Sequence, residues 1–197
     1  PTKDTVDSES SSNVSTASKN NVTLLASMIE KRQDFELVVL SDGRLLAIGG
    51  RGVGERSGVS AVDTTEVYDP VTDKWTQSGT MSDIRSVTSA VELEDGTVLV
   101  SGGAADQRNS TSLTEIWDPS TGEWTIVADM NQAREKFGLI RLEDGRVIAI
   151  GGSDNEGQHT ATVEIYDPAA DIWTLIDPMG DSEYGPVDRA CILSSTK

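Results

Sequence analysis

Apolar residues in this chain come in short runs that stop at four, as in Leu45 to Ile48 and Val147 to Ile150, with glycine, aspartate and serine between them. Three of these runs, LLAI, VLV and VIAI, each follow an Asp-Gly turn, in LSDGR, LEDGT and LEDGR. Asp-Gly between apolar runs predicts a two-residue hairpin whose central residues take positive φ. The runs are continuous rather than alternating, as expected of strands covered on both sheet faces. A third kind of segment, TTEVYDP, LTEIWDP or TVEIYDP, is rich in β-branched and aromatic residues and is closed by a proline that cannot donate to a ladder. After VTDK, STGE or AADI a fourth segment begins at Trp75, Trp124 or Trp173, each bringing a large apolar surface for a seam between units. Four strands per unit follow. No segment of helical length carries a 3.6-residue apolar period, so the chain reads as all-β.

The units recur in strict register, and such a period marks solenoids or propellers. The tryptophans at 75, 124 and 173 are evenly spaced, and Tyr68, Trp117 and Tyr166 keep the same interval. So do Asp69, Asp118 and Asp167, and Met81, Met130 and Met179. The glycine pairs Gly49 and Gly50, Gly102 and Gly103, and Gly151 and Gly152 place one longer connection in the first unit, within RGVGERSGVSAV.

Paired glycines, a Tyr/Trp-Asp-Pro strand end and a tryptophan shortly after it make residues 22–197 resemble kelch repeats, in the variant common in bacterial exported or multidomain proteins. WD40 blades are the nearest competitor, but their Gly-His and Trp-Asp signature is missing. The resemblance implies a kelch-type β-propeller segment: three complete four-stranded blades with a partial blade at each end. Residues 1–20, dominated by Ser, Thr, Asn and charge, read as a disordered tail or linker. The propeller would then occupy 21–197, in units of about 28–80, 81–129 and 130–178 with a partial unit at 179–197. Laying the unit back over the start makes 22–28 a lone fourth strand. Rings of this kind usually hold about six or seven blades, so an arc of three leaves apolar faces uncovered. Either a longer protein supplies the rest, or two copies associate through the open blade faces.

Composition narrows the partners. The 197 residues are 36% hydrophobic, enough for a core, and no apolar run approaches the roughly 20 residues of a membrane span. The formal charge of −17 lies almost entirely in the repeats and repels phosphate backbones and anionic lipid, so neither nucleic acid nor membrane insertion is expected. Such an acidic surface also suits high salt. Cys191 has no second cysteine to pair with, and with the single His159 it makes no zinc site, so no metal or cofactor is expected. The family resemblance favours an exported or cell-surface setting.

Ligand contacts belong on variable loops of a rigid scaffold. In a blade, the second-to-third loops share one face with the blade-to-blade loops, and here RGVGERSGVSAV, AADQRNSTS and SDNEGQHTA are long, polar and unlike one another. They bring Arg51, Arg108 and His159 as candidate contacts. Four residues after successive methionines stand Arg32, Arg85 and Arg134; in the fourth unit Glu183 is the strict equivalent, or Arg189 if the loop is longer. A ring of guanidinium groups at a channel mouth would hold a carboxylate or sulfate bidentately. The structural alternative pairs each arginine with Glu66, Glu115 or Glu164, which recur at one strand position, because a feature repeated in every blade usually serves the blade.

Galactose-oxidase-like relatives need two His, two Tyr and a Tyr-linked Cys, which one histidine cannot supply. STGEW at 120–124 shares only the hairpin of a sialidase Asp-box. Kelch-type sialic-acid epimerases also use Arg and Glu near the axis. DNEG at 154–157 lacks the distal glutamate of an EF-hand, and Asn13, Asn21 and Asn109 head N-x-S/T triplets. The leading expectation is a non-catalytic binding module for a protein or glycan. The alternative is a segment of an exported carbohydrate-active, galactose-oxidase-like or epimerase-like enzyme whose site further blades complete.

Overall fold

A computed structural model describes residues 24–53, 59–105 and 109–176. Twelve of its strands form three four-stranded antiparallel sheets, one per repeat. Blade 1 runs β2 (Glu36–Val39), β3 (Leu45–Ile48), β6 (Thr64–Asp69) and β7 (Lys74–Thr80) in spatial as in chain order. Blade 2 is β8 (Ser89–Glu92), β9 (Val98–Ser101), β10 (Thr114–Trp117) and β11 (Trp124–Ile126). Blade 3 is β12 (Gly138–Arg141), β13 (Val147–Ile150), β14 (Val163–Asp167) and β15 (Ile172–Ile176). No helix occurs among the described residues.

Pleating gives each blade two faces with different neighbours. The back of blade 1 presents Val38, Leu40, Leu46, Ile48 and Val67, which with Met81 close on the front of blade 2 at Val98, Val100 and Trp117. One repeat later, Leu93, Leu99 and Met130 on the back of blade 2 meet Val147, Ala149, Tyr166 and Trp173 on the front of blade 3. Leu46 and Ile48 are fully buried in the seam, and Ala47, which points to the front of the blade between them, is fully buried as well, so the run is apolar without alternation. Trp75, Trp124 and Trp173 all stand on front faces, the last two inside the seams.

Three expectations change. The Asp-Gly turns are three-residue hairpins: Leu40 N–H donates to the Arg44 carbonyl at 2.8 Å, Gly43 N–H donates to the Leu40 carbonyl at 2.9 Å, and Gly43 has φ 89° while Asp42 is not left-handed. This is a type I turn followed by a left-handed glycine, which needs one positive φ instead of two. Blades 2 and 3 repeat it at Leu93 and Leu142.

Residues 24–28 form no strand, since no described strand pairs with them. They still cap blade 1: Ala26 N–H donates to Asp73 Oδ1 at 2.9 Å, and the Ala26 carbonyl accepts from Trp75 Nε1 at 3.0 Å. Val22 and Asn21, the proposed tail at 1–20 and the partial unit at 179–197 lie outside the described residues.

The longer connection of blade 1 builds a further sheet, β1 (Arg32–Gln33), β4 (Arg51–Val53) and β5 (Val59–Ala61), in the order β1-β4-β5. In the other blades the same pairing shrinks to single bridges, Ser86 to Ala104 to Ser110 and Glu135 to Ser153 to His159. Each corresponds to Gln33, Arg51 and Ala61 of blade 1.

Candidate functional site

The long loops rise from a collar that every blade builds alike. Gly50 N–H donates to the Arg85 carbonyl of the next blade at 2.9 Å, and Gly103 N–H donates to that of Arg134 at 2.9 Å. The preceding glycine brings the backbones this close: a Cβ on Gly49, at φ 56°, would stand 2.4 Å from the Arg85 carbonyl oxygen. Thus the twin glycines of the repeat serve blade-to-blade hydrogen bonding.

The three arginines are part of this collar, not of a free channel mouth. Their side chains are 0% exposed and each pairs with a glutamate of its own blade: Arg32 with Glu66 at 2.7 Å, Arg85 with Glu115 at 2.5 Å and Arg134 with Glu164 at 2.6 Å. Arg32 Nη1 also donates to the carbonyls of Gly49 and Thr64, and Arg134 Nη1 to those of Gly151 and Thr162. Burial pulls the pKa of Arg85 and Arg134 below the ordinary arginine value, opposed by the charge of Glu115 and by the hydrogen bond of Glu164.

The glutamates have a second duty. Glu66 accepts the amides of Ile29 and Glu30, Glu115 that of Ser82, and Glu164 those of Asn131 and Gln132. Each pair therefore pins the incoming connection onto its blade through charge-assisted hydrogen bonds.

Of the other candidates, Arg51 is half-buried, with Nε 3.3 Å from Ser86 Oγ and 3.9 Å from Asp34 Oδ2, so it ties the first loop to blade 2. His159 is exposed on the third loop. Ser110 Oγ donates to Asn155 Oδ1 at 2.7 Å, joining the second and third loops. Asn109 is exposed; Arg108, Glu183, Arg189 and Cys191 lie outside the described residues. In DNEG, Asp154 Oδ1 accepts the amides of Glu156 and Gln158 within its own turn. Among the described residues no group of three or more His, Cys, Asp or Glu is placed to hold a metal.

Sequence reasoning missed one ring. Asp34, Val87 and Lys136, two residues beyond each arginine, have φ 54°, 48° and 55°. They hand a backbone hydrogen bond from blade to blade, Val87 N–H donating to the Asp34 carbonyl at 3.0 Å and Lys136 N–H to the Val87 carbonyl at 3.4 Å. Positive φ is a strained choice for a β-branched valine. The three side chains line a groove of about 440 Å³ between the innermost strands β2, β8 and β12, together with Glu36, Thr88 and Ser89. The only sequence signal was negative: acidic, aliphatic and basic residues occupy one repeat position, so no motif marks it.

Three four-stranded blades joined by this collar define a β-propeller segment. The Kelch motif matches residues 37–82, 95–131 and 144–180, and the chain belongs to the kelch-repeat family. It is similar to the spermatocyte protein spe-26 of Caenorhabditis elegans, 39% identical over 66 residues that make up 33% of this chain and 11% of that protein. The chain thus spans about a tenth of the length of that curated relative. Among solved structures it resembles YjhT, a kelch propeller, with a TM-score of 0.70 at 17% identity, over 83% of this chain and 57% of that one.

Proposed function

We propose that this chain is a binding module that presents the loop face of its blades to a protein partner, with a glycan as the second class of ligand. Kelch repeats generally mediate contacts between proteins, and the observation that carries the reading is the contrast between backbone and side chain around the collar. Equivalent positions share their hydrogen bonds, yet hold Asp34, Val87 and Lys136 in one ring and Arg51, Ala104 and Ser153 in another. Rigid, repeated backbone with unlike side chains is what a recognition surface requires. The arginines are spent on the scaffold, so recognition falls to the residues that break the repeat.

Permuting the ring tests this: Asp34→Val, Val87→Lys and Lys136→Asp together keep composition, net charge and the residue types already found at this backbone position. The permuted chain is expected to unfold at the same denaturant midpoint and to lose the proteins that wild type captures by cross-linking in an extract of its source. A glycan array run with both chains separates the two ligand classes. Unchanged capture and unchanged array binding would remove the ring from the recognition surface.

A further inference from the structure

The ring of Asp34, Val87 and Lys136 has a polarity. Asp34 on blade 1 and Lys136 on blade 3 carry opposite charges with the aliphatic Val87 of blade 2 between them, and all three line the groove of about 440 Å³. The Asp34 side chain is 46% exposed and lies 3.9 Å from Arg51 Nε, and that of Lys136 is 56% exposed and lies 3.5 Å from Glu135 Oε1. Ion pairs so long and so exposed hold their members weakly, so both charges are open to a partner. The floor's hydroxyls are already spent: Thr88 Oγ1 donates to the carbonyls of Ser101 and Gly102, and Ser89 Oγ to that of Phe137. Charge and apolar contact are left, which suit amino-acid side chains better than sugar hydroxyls. Val87 keeps a β-branched side chain at φ 48°, where glycine or asparagine would sit without strain. Strain of this kind gathers at ligand clamps.

We propose that this groove takes an extended peptide segment of a partner protein with a basic, an aliphatic and an acidic residue at alternate positions: the basic side chain meets Asp34, the aliphatic one Val87 and the acidic one Lys136. The proposal rests on the loop face being a protein-binding surface and names the chemistry that surface selects. The spacing agrees. Backbones joined by the bonds from Val87 to Asp34 and from Lys136 to Val87 stand about 5 Å apart, which puts about 10 Å between the two charged positions. Residues i, i+2 and i+4 of an extended strand face one way and span about 13 Å. The long side chains of arginine and glutamate take up the difference by leaning inward. A segment with the same residues in another order sets a charge against Val87 or like charges against each other, so the ring selects sequence and not composition alone.

Amide NMR titration of the 197-residue chain with two end-blocked peptides tests it. Arg-Ser-Leu-Ser-Glu matches the ring, and Leu-Ser-Glu-Ser-Arg has the same composition in the wrong order. The first is expected to shift the amides of Asp34, Val87 and Lys136 and to bind about tenfold more tightly than the second. The chain permuted by Asp34→Val, Val87→Lys and Lys136→Asp is expected to reverse that preference, since its ring reads aliphatic, basic, acidic. Val87→Asn, which relieves the strain, should leave the urea midpoint no lower than wild type while weakening the first peptide about tenfold. Equal affinities for the two peptides, no shift at the ring, or full affinity in Val87→Asn would each overturn the proposal. If the permuted chain still loses the proteins that wild type captures while the two peptides bind alike, the loop-face reading stands and this one falls; if capture and peptide binding are both indifferent to the permutation, both fall.

Discussion

The amide of Gly79 donates to the carbonyl of Gly122 at 2.9 Å, and this backbone bond stands where blades 1 and 3 use a side chain. There the equivalent amides, of Ala26 and Ala128, donate to Asp73 and Asp171, which also accept the hydroxyls of Tyr68 and Tyr166. Blade 2 has Trp117 in place of the tyrosine. Its indole donates to Ser78 Oγ at 3.0 Å, and without a hydroxyl to accept, the aspartate gives way to glycine. Two departures from the repeat are one physical exchange.

That exchange is measurable as a coupling. Gly122→Asp is compatible with the backbone, since Asp73 and Asp171 hold φ of 49° and 52° at the same place. Trp117→Tyr alone loses the bond to Ser78 and is expected to destabilise. Adding Gly122→Asp should recover about 1 kcal/mol through the restored Tyr-Asp bond, read from a double-mutant cycle in urea. Strict additivity would show that the two positions are independent.

Arg85→Ala is expected to cost about 3–5 kcal/mol, because it leaves Glu115 buried without its cation. Denaturant unfolding checks the magnitude. Arg44→Ala provides the contrast: its pair with Asp42 is partly exposed and stays within about 1 kcal/mol. Comparable losses from the two variants would mean that the collar pairs do not hold the blades.

Stability has an acid limit set by the turns. Backbone and side-chain hydrogen bonds hold Asp42, Asp69, Asp73, Asp118 and Asp144 below the ordinary value of 3.8; the Ala26 amide is the largest cause for Asp73 and the Arg146 side chain for Asp144. A lowered folded-state pKa contributes stability that is complete above the unfolded value and lost as pH falls through the folded one. The urea midpoint is therefore expected to fall below about pH 4, and the gap between wild type and Asp73→Asn to close there. Tyr68, raised by its bond to Asp73, and Tyr166, raised chiefly by burial, act in the opposite direction. Their contribution is complete below the ordinary tyrosine value of 10.0 and is lost as pH rises above it.

The blades were legible in the sequence because each strand type carries its own marker: Asp-Gly before the second, Asp-Pro after the third, tryptophan at the head of the fourth. The pairing of Arg85 with Glu115 was also visible as two residue types kept in register. What stayed hidden was local geometry. One glycine instead of two left-handed residues closes the first turn, and the lone segment at 24–28 keeps its capping bonds without a strand partner. The ring of Asp34, Val87 and Lys136 was invisible for a different reason, because its positions share a backbone conformation but no residue type.

Amide hydrogen exchange with and without a captured partner tests the division between scaffold and loops most directly. Binding is expected to slow exchange at Asp34, Val87 and Lys136 and along Asn109 to Ser112 and Ser153 to His159. The turns on the opposite face, at Asp42 to Arg44, Asp95 to Thr97 and Asp144 to Arg146, should exchange as before. Protection confined to those turns, with the ring and loops unchanged, would contradict the assignment of the loop face as the binding surface.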